Sequence, residues 1–152
     1  MNEERGTRNE ENNIISSVSI IGNEERGTRN DSKIKTFFDL DAWQESHNLC
    51  LLSYKLTKSF PNEELYGLTS QLRRAAVSVT SNIAEGFSRE SYSYKCHFYT
   101  MAHTSISELI SQAYLAKDLT YIKPDEFDSY YELAQKAYKI LGGLIKATKE
   151  RK

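Results

Sequence analysis

Residues 65–89, LYGLTSQLRRAAVSVTSNIAEGFSR, decide the fold of this chain. Leu65, Leu68, Leu72, Ala76, Val79 and Ile83 recur at spacings of three, four, four, three and four. Such a rhythm draws one unbroken apolar stripe down an α-helix. Ala75, Ala76, Ser78 and Ser81 are small and admit a close neighbouring backbone. Gly86 stands where the periodicity ends and is read as the residue that tolerates left-handed geometry there.

Outward from this stretch the same rhythm returns three times. Residues 39–60 are predicted as a first helix, with Asp39 or Asp41 as its cap. Trp43, His47, Cys50 and Tyr54 form one stripe on it, and Leu49, Leu52, Leu56 and Phe60 a second. Pro61 pushes residue 60 out of the helical region and opens the next helix, about 62–86. Phe87–Ser91 is a short connection that forces antiparallel neighbours, and Ser88 or Ser91 is the expected cap of a third helix over 91–118. Pro124, Asp125 and Glu126 open a fourth over 124–148, which Gly142 and Gly143 weaken locally. The expectation is an all-α domain over 36–150, an antiparallel up-down-up-down four-helix bundle.

The N-terminal stretch differs in character. Residues 2–9 read NEERGTRN and residues 23–30 repeat it, with IISSVSII between them. Two copies are too few for a solenoid. Residues 1–35 are therefore expected to be a disordered tail, with translated repetitive DNA or an early start codon as one origin of the duplication. Four arginines against six glutamates and Asp31 give residues 1–32 a net −3. Residues 33–152 then carry sixteen basic and fourteen acidic groups, a net +2 within an overall −1.

A charge so near balance excludes a polycation that coats nucleic acid in bulk. No apolar run reaches the ~18 residues of a membrane span, and the Met-Asn-Glu-Glu-Arg start lacks a signal peptide's basic and apolar regions. A cytoplasmic protein with no membrane contact is expected. Cys50 and Cys96 stand alone and read as buried reduced thiols. Helices one, three and four carry more apolar and tyrosine positions than a lone bundle hides, so a homo-oligomer is expected.

The polar candidates cluster on the second helix: Gln71, Arg73, Arg74, Asn82 and Glu85, with Arg89 just beyond. One reading is a basic rim, in which Arg73, Arg74 and Arg89 contact phosphate while Gln71 and Asn82 donate hydrogen bonds. The other is structural: Asn82, Glu85 and Gly86 fix the helix end, and Glu85 pairs with Arg89 or Arg74, neutralising charge that an RNA site needs. His47 with Cys50 and Cys96 with His97 make poor metal sites, because adjacent residues diverge by about 100° on a helix. Seven residues lie between Arg89 and His97, too many for the Arg–His spacing of helical-bundle ribonucleases. Phosphate loops, nucleophile elbows and zinc-protease signatures are missing from the sequence. We therefore expect no catalytic residues, no metal and no cofactor.

Three runs, FDLDAWQES (38–46), FPNEELYGLTSQLRRAAVSVTSNIAEGFSRES (60–91) and MAHTSISELISQAYLA (101–116), resemble the bacterial 23S rRNA intervening-sequence proteins. The resemblance spans about residues 36–150. It implies an antiparallel four-helix bundle assembled as a homopentamer. The sequence is also similar to the accessory variability protein of diversity-generating retroelements, which implies RNA or DNA and a protein as partners. Those relatives are strongly basic, whereas this core is only slightly so.

Overall fold

The computed structural model describes residues 34–151. The expectations for the duplicated segment and for residues 1–33 lie outside the described residues. Four α-helices follow one another: α1 (Asp41–Thr57), α2 (Leu68–Ser88), α3 (Tyr92–Asp118) and α4 (Pro124–Lys149). Short 3-10 turns at Phe37–Asp39 and Asn62–Glu64 precede the first two, and no strand occurs among the described residues. The architecture is an all-α four-helix bundle, as the four stripes predict.

Each helix packs on two neighbours: α1 on α2 and α4, and α3 on α2 and α4. Paired residues run in opposite senses. Ser78 meets Ser105 while Gly86 lies against Tyr99, and Tyr114 meets Phe127 while His103 stacks on Tyr138. The core is built from the stripe residues, with Leu49, Val79, Ile83, Ile106, Leu109 and Leu141 fully buried. Tyr130 joins them and needs a partner for its hydroxyl. Ser53 Oγ gives its own proton to the Leu49 carbonyl at 2.8 Å, so the Tyr130 hydroxyl donates to Ser53 Oγ, also at 2.8 Å. Burial pushes the Tyr130 phenol well above its ordinary value.

Several local expectations change. Helix α2 begins at Leu68, and Gly67, its N-cap, has no side chain to offer the first turn. Glu64 curls back instead, its Oε2 accepting from the Leu68 N–H at 2.9 Å while its Oε1 accepts from the Tyr121 hydroxyl at 3.0 Å. Leu65 therefore falls off the stripe and is 51% exposed. Asp39 does not cap α1; its carboxylate accepts from the N–H groups of Lys35 and Thr36, closing the 3-10 turn, and those bonds hold it below the usual carboxylate range. Ser91 is the N-cap of α3 but makes no side-chain cap bond, and Ser88 donates back to the Glu85 carbonyl.

Gly86 is the clearest correction. It lies inside α2, two residues before the end, and no described glycine has a positive φ. Its role is proximity. A Cβ there would stand 2.7 Å from Tyr99 Cε1 and 3.0 Å from Phe98 Cβ, so a hydrogen is all that fits beneath α3. The left-handed residue is Thr120, with φ 62°. Tyr121 N–H bonds the Ala116 carbonyl and Thr120 N–H the Lys117 carbonyl, both at 2.9 Å, which is the Schellman ending of a helix. A β-branched residue is costly in that conformation. Thr120→Gly should raise unfolding stability by about 1 kcal/mol in urea titration; an unchanged midpoint contradicts the strain.

Candidate functional site

The sequence places Gln71, Arg73, Arg74, Asn82 and Arg89 in one group, and the structure distributes them. Arg73 lies on the α2 flank that faces α1. Its Nε donates to Thr57 Oγ1 at 2.8 Å, and its guanidinium sits over the Tyr54 ring at 4.9 Å. Thr57 can accept because its own proton is directed to the Ser53 carbonyl at 2.9 Å. Asn82 is about 180° away around the helix, on the flank facing α3. Its Nδ2 donates to the Ser78 carbonyl at 2.8 Å and to Ser78 Oγ at 3.0 Å, and Ser78 in turn bonds Ser105 of α3 at 3.0 Å. Asn82 thus holds Ser78, and it is Ser78 that bonds α2 to α3.

Arg89 follows the end of α2, roughly 24 Å along the axis from Arg73. It pairs with Glu85 one turn back and lays its guanidinium over the Phe98 ring at 4.7 Å. That contact ties the α2–α3 turn to α3. Gln71 is exposed. Arg74 is exposed as well, on the outer side of α2, and makes no ion pair or hydrogen bond among the described residues.

What the fold does bring to Arg73 and Arg74 is a groove where the end of α1 meets the start of α2. It encloses about 490 Å³ and is lined by Tyr54, Leu65, Tyr66, Thr69, Ser70 and Val77 besides the two arginines. No carboxylate lines it. Tyr66 is 93% exposed, and Leu65 and Val77 are also open to solvent. Tyr66 and Leu65 are members of this groove that helical periodicity does not reveal. The available signal was their position off the helix, between Pro61 and Gly67, where a large apolar side chain has no helical partner to bury it.

The histidines are packed against rings. His47 stacks on Trp43 at 4.7 Å, and His103 on Tyr138 at 3.7 Å. Among the described residues no three His, Cys, Asp or Glu side chains gather as a metal would require. Cys50 and Cys96 are free, and burial pushes the Cys50 thiol up, away from a reactive thiolate. Burial also holds His103 below its ordinary 6.5, an effect partly offset by a backbone hydrogen bond at Tyr138. The unfolded chain therefore takes up the proton first. His103 imposes no penalty above its ordinary value and an increasing one as pH falls below it. Melting temperature should drop between about pH 7.5 and about pH 5.5, and His103→Gln should flatten that drop. Equal slopes in the two proteins would contradict the assignment.

No described helix is long and apolar enough to cross a membrane. Comparison with known proteins adds three findings. No curated protein matches the chain. A crystal structure at 1.70 Å of a protein with unknown function, from the S23 ribosomal protein family of Bacteroides thetaiotaomicron VPI-5482, superposes with a TM-score of 0.64. It is 21% identical and aligns over 69% of this chain and 95% of its own, a likeness of fold. The family model for the 23S rRNA-intervening sequence protein matches residues 38–143, well over half of the sequence. The chain belongs to the 23S rRNA-intervening sequence protein family.

Proposed function

We propose that this protein is a non-enzymatic, self-associating helical-bundle module of the cytoplasm that binds nucleic acid, RNA or DNA, together with a protein partner. The observation that carries the reading is the groove at Arg73 and Arg74, which offers two cations beside open tyrosine rings and no lining carboxylate. Phosphate is the anion that such cations most readily meet on nucleic acid. The name of the family, with its 23S rRNA intervening sequence, supports an RNA setting. The likeness to the retroelement accessory protein and the pentameric assembly it implies belong to the same reading.

Self-association is supported by apolar surface that a single copy leaves open, though not on α4, where the sequence also placed it: Tyr131, Tyr138, Leu144 and Ile145 pack against the core there. On α3, Tyr94, Met101 and Leu115 are exposed at multiples of seven residues, with Leu119 one turn further. That spacing sets them along one outer line of α3, interrupted by the exposed Glu108. The second reading, a scaffold that contacts protein alone, draws on a specific observation: Asn82, Glu85 and Arg89 are already engaged within the bundle. A mobility-shift assay with RNA and with DNA at ~50 mM salt separates the two. A shift that weakens as salt rises supports nucleic-acid binding. The absence of any shift at low salt leaves the scaffold.

A further inference from the structure

Resting on the nucleic-acid reading above, we propose that the α1–α2 groove is a site for an unpaired, single-stranded segment, whose bases stack on Tyr66 while Arg73 and Arg74 hold the adjoining phosphates. A groove of about 490 Å³ falls within the range that accepts a small organic ligand, and so fits a nucleotide unit. Its charge is of one sign. Arg73 and Arg74 line it and no carboxylate is among the lining residues; Glu64, next to Leu65 in the chain, is engaged by the Leu68 N–H and the Tyr121 hydroxyl. The complementary occupant is an anionic chain.

The aromatic groups narrow the choice of anion. Tyr66 is 93% exposed, so its ring faces are bare to water. Leu65 and Val77 extend the apolar surface beside it. A duplex keeps its bases stacked on each other and presents phosphate outward, which leaves a bare ring nothing to stack against. An unpaired base has a free π-face and gains by covering one. The arginines differ in readiness. Arg73 is fixed in place by Thr57 at 2.8 Å and by the Tyr54 ring, so its planar cation is pre-organised; Arg74 spends no bond within the described residues. A rigid cation, a free cation and a bare ring on one groove match the alternation of phosphate and base along a single strand. An acidic peptide would use the cations but has no flat heterocycle for Tyr66.

Fluorescence anisotropy on the full chain tests this. The probes are a labelled oligothymidylate of about a dozen nucleotides, the same strand annealed to its complement, and polyglutamate of similar length, all at ~50 mM salt. The single strand should bind tightest. Tyr66→Ala should weaken it about tenfold, with Tyr66→Phe near wild type and duplex binding little changed. Tyr66 is exposed, so circular dichroism should show an unchanged fold. Duplex binding as tight as the single strand, or a silent Tyr66→Ala, would overturn the stacking site while nucleic-acid binding stands. Capture of polyglutamate with neither nucleic acid bound would remove both.

Discussion

Replacing Gly86 by valine should cost the bundle about 3 kcal/mol, at the upper end of what overpacking usually costs. The Tyr99 ring and Phe98 Cβ already lie within 3.0 Å of where a first side-chain carbon would stand, and both sit on the packed face of α3. The neighbouring atoms belong to a ring and a β-carbon, neither of which swings away as a long flexible tip would. Gly86→Ala should be milder, because alanine returns about 1 kcal/mol of helix propensity against the steric loss. The cause can be isolated. If α3 is the obstacle, trimming Tyr99 to leucine should recover part of the valine penalty, with a coupling of about 1 kcal/mol or more in a double-mutant cycle. Additive losses in that cycle would mean that the glycine serves its own helix rather than the contact with α3.

The second large effect is on binding. Arg73→Glu combined with Arg74→Glu should weaken nucleic-acid affinity by about a hundredfold or more at ~50 mM salt and lower the slope of log affinity against log salt by about two. Both cations line the same groove, and reversing them places two carboxylates where none stood. Arg89→Glu is the informative control. Arg89 is already committed to Glu85 and Phe98, so its reversal should disturb the α2–α3 turn and leave affinity within about twofold. A loss at Arg89 equal to that of the double variant would restore the broad basic rim in place of the groove.

Much of the fold was legible because its information is local. A stripe such as Leu68, Leu72, Ala76, Val79 and Ile83 states helix and core face together, and Pro61 and Pro124 mark the places where chain direction changes. The misreadings concern tertiary relations. Gly86 at the end of a periodic run looks like a helix terminator. Only the arrival of Tyr99 from α3 reveals it as a point of close approach. Leu65 keeps the helical spacing, yet Glu64 turning back to Leu68 N–H delays the helix and leaves Leu65 outside.

The site was legible only in part, for the same reason. Arg73 and Asn82 share a helix and a polar character, but they point to opposite neighbours, and nothing in their spacing says which flank is free. Arg74 was recognisable as a solvent-side cation. The groove required knowing that Tyr54 of α1 and Tyr66 of the connection line the same depression.

Self-association follows from open apolar surface on α3 that one copy does not cover, at Tyr94, Met101 and Leu115, and the mass of the particle in solution tests it most directly. Light scattering on the full chain at micromolar concentration should return a multiple of 17.5 kDa. A stable, monodisperse species of 17.5 kDa would contradict it.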